Sequence, residues 1–372
     1  MKKRILLLIE DPLMADFFTD KLEAAGFELM SARASCDGVN RFRNEGADLI
    51  LVDPIFSTGD GLDAIRAIRE HSATVPILIL GNLPRNLIRE AQSIGMTQLV
   101  FTTLNPFDTV LTAIDPFLPI PIRAYTSGLK FSESHWMDSC IASAPTTIKA
   151  MRLDAYSFAK TRTNAPLLFA LFSEAHLLAE RLAAVGLVPL WKMARSIEML
   201  VYDLYEMPEE ISDSTVRTAV QAVDFLGTLF DPAVIPLLSD PVGSAILAVD
   251  DEPMVLQTIS QAMEKVGLVP TCALHASDAL GFLQKTEFKL VLLDIGLPSV
   301  NGFDICKQAR EIPLCKKTPM VFLTGMTTFQ NRALSTLSGG NDFIGKPFNL
   351  FELGTKALSW VLKGQLSQSI QS

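Results

Sequence analysis

The chain has 372 residues, nearly half of them apolar and a fifth charged, an ordinary globular composition with material for two or three domains of common size. A formal charge of -9 excludes a broad nucleic-acid or anionic-membrane surface, and no run approaches the ~20 consecutive apolar residues of a membrane span. The five cysteines (Cys36, Cys140, Cys272, Cys306 and Cys315) are odd in number, scattered and without metal-ligand spacing, so a soluble protein of a reducing, cytoplasmic compartment is expected.

Taken in order, Met1-Lys2-Lys3-Arg4 followed by Ile5-Leu6-Leu7-Leu8-Ile9 imitates the start of a secretory signal. Glu10-Asp11 cuts the apolar run short and no small-residue cleavage site follows, so the segment reads as a first β-strand. Short apolar runs then alternate with amphipathic helical patterns over residues 1–118, the first expected domain. Pro116 to Pro121 opens a linker over 119–143. Over residues 144–231 strand signals vanish. Leu171, Ala175, Leu178, Leu182 and Val185 recur at helical spacing, as do Leu190, Met193, Ile197, Leu200 and Leu204. Ser212 or Ser214 can cap a further helix carrying Val216, Val220, Val223 and Leu226. This stretch predicts an antiparallel helical bundle. A second linker, residues 232–243, precedes a third domain over 244–366, where strand–helix alternation returns.

The first and third domains are copies of one another at a separation of about 240 residues, far too long for a solenoid repeat. Ile5 to Asp11 (ILLLIED) is answered by Ala245 to Asp251 (AILAVDD), and Ala47 to Asp53 by Phe288 to Asp294. Asp60-Gly61 is answered by Asn301-Gly302, Val75 to Leu80 by Thr318 to Leu323, and Asn105-Pro106-Phe107 by Lys346-Pro347-Phe348. Continuous apolar strands bounded by turn residues and alternating with helices predict a doubly wound parallel sheet in each copy, with its chemistry at the carboxyl ends of the strands.

In the second copy those ends carry Asp250 and Asp251 after the first strand and Asp294 after the long run Leu290 to Leu293. Acidic groups gathered at one sheet mouth demand a positive partner. Asp250, Asp251 and Asp294 suit Mg²⁺, a hard cation that keeps open positions for water and phosphate oxygens. Thr324 supplies a hydroxyl and Lys346 a fixed cation. A carboxylate nucleophile, a divalent ion, a hydroxyl and a lysine together meet the requirements of phosphoryl transfer to an aspartate. Any one of these acids alone would read as a solvated loop residue.

The runs VDDEP, LLDIGLPSVNG, FLTG and DFIGKPF, in that order over about residues 244–364, resemble the response-regulator receiver family, whose fold is the flavodoxin-like (βα)5 sheet. The resemblance implies that Asp294 is the phosphoacceptor and that Asp250, Asp251 and the carbonyl of Gly296 bind the metal. It also implies that Thr324 and Lys346 grip the phosphoryl group, and that Phe343 is the aromatic switch. The implied partners are a sensor histidine kinase or a phosphotransfer protein.

In the first copy Glu10, Asp11 and Asp53 retain acidic character, while Gly81 stands at the threonine position, Asn105 at the lysine position and Ser57 where the other copy has Pro298. Loss of the hydroxyl and the lysine predicts a pseudo-receiver that serves as a docking or dimerisation surface. In the middle segment His176, with Leu178 two residues on and Gly186 ten residues on, resembles the histidine phosphotransfer family. Ala179 and Glu180 stand where that family has lysine and glycine, and Glu180 shares the face of His176. The expectation is a response regulator, not an enzyme, signalling through a protein partner or a homodimer with no DNA-binding or cyclase domain. The alternative is a phosphorelay intermediate that passes phosphate through His176.

Overall fold

The computed structural model describes residues 2–56, 61–81, 83–100, 106–118, 133–162, 164–238, 240, 244–298, 300–325 and 338–369. The chain divides into two compact units, one made of Met1–Thr147 with Ser173–Trp191 and the other of Ile148–Phe172 with Lys192–Ser372.

The first unit opens with β1 (Arg4–Leu8), α1 (Pro12–Ala24), β2 (Glu28–Ala32), α2 (Ser35–Glu45), β3 (Leu49–Val52), α3 (Gly61–His71), β4 (Ile77–Leu80), α4 (Arg85–Ser93), β5 (Gln98–Val100) and α5 (Pro106–Ile114). The strands form one sheet in the order β2-β1-β3-β4-β5, and every pairing is parallel. Ile5, Leu6, Leu7, Leu8, Leu49, Ile50, Leu51 and Val52 have no solvent exposure. That is why the central strands read as unbroken apolar runs: a parallel sheet is covered on both faces.

Between the two sheets the chain is helical: α6 (Glu133–Thr161), α7 (Ala165–Ala184), α8 (Val188–Glu206) and α9 (Asp213–Leu229). Helix α6 begins inside the segment expected to be a linker. Its first stripe is Trp136, Cys140 and Ala144, of which Cys140 and Ala144 are fully buried; small residues make that stripe faint in the sequence. Ser212 is the cap of α9, accepting from the Thr215 amide in a reciprocal capping box.

The second unit carries β6 (Ile246–Val249), α10 (Pro253–Lys265), β7 (Pro270–Ala273), α11 (Ala276–Lys285), β8 (Leu290–Asp294), α12 (Gly302–Glu311), β9 (Met320–Thr324), β10 (Asp342–Gly345) and α13 (Leu350–Ser369). The sheet order β10-β9-β8-β6-β7 is the same 2-1-3-4-5 order, with parallel pairing throughout. Both are flavodoxin-like sheets, whose order reverses between the first and third strands. Within this unit α13 packs on the helical segment. Glu352, 2% exposed, accepts from the hydroxyls of Ser214 (2.5 Å) and Thr218 (2.9 Å), and the Thr355 hydroxyl donates to the Ser196 carbonyl at 3.0 Å.

One glycine in each copy is fixed by close approach. A Cβ on Gly302 would lie 2.2 Å from the Asp294 carbonyl oxygen, and one on Gly61 2.3 Å from the carbonyl oxygen of Pro54. The loop after Asp294 folds back so that the Gly302 amide donates to the Ile295 carbonyl at 3.1 Å. Gly302→Ala is expected to lower stability by about 2–4 kcal/mol, read as a fall in the denaturation midpoint. A change below about 0.5 kcal/mol would show that the loop relaxes freely.

Candidate functional site

The parallel register of β6 and β8 pairs Val249 with Leu293, so the next residues, Asp250 and Asp294, stand side by side at the switch point. The Asp250 side chain is fully buried and that of Asp294 is 7% exposed. Lys346, just past β10, places its Nζ 2.6 Å from Asp250 Oδ2 and 2.8 Å from Asp294 Oδ1. Asp250 Oδ1 also accepts from the Glu252 amide at 3.1 Å, and Asp294 Oδ2 from the Gly296 amide at 2.7 Å. Thr324 ends β9 and is buried, its carbonyl accepting from the Lys346 amide at 2.6 Å. Phe343 on β10 is half-buried, with the Arg217 guanidinium of α9 5.2 Å from its ring centroid. Asp251 is exposed.

Burial pushes the Asp250 carboxyl above its ordinary value, against the lowering effect of Lys346. Burial alone would lower the pKa of Lys346, but its hydrogen bonds to Asp250 and Asp294 outweigh that and raise it. Two carboxylates on one ammonium leave a residual negative charge at the sheet mouth. Among the described residues no three His, Cys, Asp or Glu side chains gather as a closed metal site. A pair of hard oxygen donors with open positions is nonetheless the arrangement that Mg²⁺ uses, and the donor set here fits it.

The first copy differs more than its sequence suggests. Leu8 pairs with Val52 and Ala32 as Val249 pairs with Leu293 and Ala273, and α1 and α10 both begin at a proline, Pro12 and Pro253. The residue equivalent to Asp250 is therefore Ile9; Glu10 answers Asp251, and Asp11 answers Glu252. The expectation that Glu10 and Asp11 preserve the acidic pair is corrected by one residue. Ile9 is 1% exposed, and Asp11 is the cap of α1, accepting from the Met14 amide at 2.9 Å. Asn105 and Ser57 lie outside the described residues. The same count separates Val100 of β5 from Pro106 of α5 as separates Ile344 of β10 from Leu350 of α13. Asn105 thus answers Asn349, and the lysine position falls on Thr102. Gly81 does answer Thr324, since Leu80 and Leu323 hold equivalent places beside Val100 and Ile344.

Around Asp53 stand Ile9, Met14, Phe18, Leu80, Gly81, His176 and Glu180. His176 of α7 is 2% exposed. Desolvation raises the pKa of the Asp53 carboxyl, with His176 acting in the opposite sense. Asp294 has a lysine partner in the equivalent place; Asp53 has an imidazole from another domain-sized distance along the chain.

Two sheets of this order, the second with its aspartates and lysine at the switch point, define a pair of receiver-type domains. Residues 5–111 and 246–357 match the response regulator receiver domain model, together more than half of the chain. An uncharacterized 14.6 kDa protein of Leptolyngbya boryana is 32% identical over 108 residues, 29% of this chain and 82% of the relative. The transcriptional regulatory proteins TrcR of Mycobacterium tuberculosis (124 residues) and SpaR of Bacillus subtilis (117 residues) are each 32% identical. They match 33% and 30% of this chain, which spans 46% and 49% of their respective lengths. Among solved structures, the Vibrio cholerae chemotaxis protein CheY4 is 29% identical, covering 30% of this chain and 92% of its own, with a TM-score of 0.29. The chain belongs to the response regulator receiver family and carries two domains of that kind. No described helix is long and apolar enough to cross a membrane.

Proposed function

We propose that the chain is a response regulator that accepts a phosphoryl group on Asp294 from a partner histidine kinase or phosphotransfer protein. The observation that carries this reading is the Lys346 ammonium held between the carboxylates of Asp250 and Asp294. In the reaction an Asp294 carboxylate oxygen attacks phosphorus, an O–P bond forms, and the N–P bond of the donor phosphohistidine breaks with its electrons returning to the imidazole. Lys346 neutralises charge on the transferring oxygens, and the Thr324 hydroxyl donates to one of them. Asp250, Asp251, Asp294 and the Gly296 carbonyl would hold Mg²⁺, which neutralises further phosphoryl charge when bound. Mass spectrometry after treatment with a small-molecule phosphodonor and Mg²⁺ is the test: phosphate on Asp294 is expected, and phosphate confined to Asp53 or His176 would overturn the assignment.

The signal then leaves through protein contacts. Movement of Thr324 toward the phosphoryl group lets Phe343 turn inward, because packed interiors switch between discrete arrangements. Inward rotation withdraws the ring from Arg217, and so reaches the helical segment on which α13 rests. The helix expected after Thr324 lies outside the described residues. With beryllofluoride and Mg²⁺, amide exchange is expected to change at β10, α13 and the turns of α9 around Arg217. Changes restricted to the loops around Asp294 would rule out this route.

The helical segment is read as an antiparallel bundle akin to the histidine phosphotransfer family. Supporting this, α7 is followed by Gly186, whose φ of 72° suits a reversing turn. The alternative, phosphate passing through His176, requires an accessible imidazole, whereas His176 is buried.

A further inference from the structure

The first receiver keeps the shape of a phosphorylation site but not its contents, and three substitutions there share one explanation. A Cβ built on Gly81 would lie 2.8 Å from both Cε1 and Nε2 of His176, inside any permitted contact. Gly81 also has φ +98°, a backbone conformation that a threonine rarely adopts. The residue that cost this copy its hydroxyl is thus the one that admits the imidazole. Ile9, in place of the buried Asp250, presents an apolar wall where the other copy has a carboxylate. The lysine that pairs with that carboxylate in the second copy is absent from the first as well. Loss of the lysine together with one of its two carboxylates leaves Asp53 as the only aspartate of the trio, so one buried charge remains to be balanced and not two.

One helical turn and a half beyond His176, Arg181 forms an ion pair through Nη2 with Asp11, and its Nε lies 3.2 Å from the same carboxylate oxygen. The two side chains are 12% and 3% exposed, so a largely buried ion pair ties α7 to Asp11, the cap of α1. The space left among Ile9, Asp53, Gly81, His176 and Glu180 is about 10 Å³. That is no more than one water molecule occupies, too small for a phosphoryl group or a hydrated Mg²⁺. The residues of this site therefore do not fit the metal that the family binds.

We propose that the first receiver is an anchor site whose ligand is α7 of the same chain, with the imidazole of His176 filling the phosphoryl position and the Arg181–Asp11 ion pair holding the helix beside it. It grips α7 irrespective of phosphorylation and withdraws His176 from phosphotransfer. This goes beyond the assignment of Asp294, and its histidine-modification test leaves that residue unchanged.

The four histidines provide the measurement, because His71, His135 and His275 are exposed and serve as internal controls. In the full chain treated with diethyl pyrocarbonate, peptide mass spectrometry is expected to show His176 modified at least about tenfold more slowly than the other three. Gly81→Ala should expel the imidazole and bring His176 to the rate of the controls. Should that variant fail to fold, Arg181→Ala, which removes only the ion pair, is expected to raise the His176 rate severalfold. Modification of His176 at the control rate in the parent would overturn the proposal, as would protection unchanged in both variants. So would one Mn²⁺ bound per chain in an Asp250→Asn/Asp294→Asn protein, in which the second receiver has lost two of its three carboxylate donors.

Discussion

Asp294→Asn is expected to reduce phosphate incorporation from a small-molecule donor to background, while Asp53→Asn leaves it within about twofold of the parent. The asymmetry follows from the two environments. Asp294 has one oxygen on Lys346 Nζ and the other on the Gly296 amide, so an amide of the same shape keeps the packing but removes the nucleophilic oxygen. Asp53 has Ile9 and His176 beside it, without the aspartate and lysine that flank Asp294. Intact-mass measurement with and without Mg²⁺, alongside circular dichroism to confirm folding, decides the matter. Equal loss from the two substitutions would mean that both copies are phosphorylated, and the pseudo-receiver reading would fail.

Both sheets and the second site were legible because their signals are local. Central parallel strands buried on both faces appear as uninterrupted apolar runs, and Asp250, Asp294 and Thr324 stand at the ends of such runs, while Lys346 follows the edge strand Asp342–Gly345. The first copy was read one residue out of place for a physical reason. Its apolar run continues through Ile9, so matching the copies by their acidic pairs slid the alignment, whereas the helix-initiating prolines Pro12 and Pro253 were the firmer marker. Counting from the α5 start would likewise have placed Asn105 opposite Asn349. The burial of His176 against Gly81 could not be read from periodicity, since α7 shows the same helical spacing whichever partner covers it. The unexplained glycine at the threonine position was the available signal: a residue with no side chain where the sister copy needs one implies that something else occupies the space. The start of α6 was missed because Cys140 and Ala144 make a stripe too small to register.

Lys346→Ala is the second substitution with a large expected effect, and it separates the charge chemistry from the nucleophile. Removing the ammonium leaves Asp250 and Asp294 facing one another in a buried site, at an expected cost of about 2–3 kcal/mol at neutral pH. The pKa of Asp250 is already raised by burial, and without the lysine it must rise further. A carboxyl whose folded pKa exceeds its unfolded value favours the folded state in acid and loses that contribution as pH climbs through the interval between the two values. The deficit of Lys346→Ala is therefore expected to be small near about pH 5 and larger near about pH 8. Mg²⁺ should raise the unfolding temperature of the variant more than that of the parent, because the ion replaces the missing positive charge. Some phosphorylation of Asp294 should persist, yet beryllofluoride should no longer alter amide exchange at Phe343 or α13, since the group that transmits charge from the phosphoryl oxygens to β10 is gone. A variant that matches the parent in both its pH dependence and its exchange response would show that Lys346 neither balances the two aspartates nor couples them to the switch.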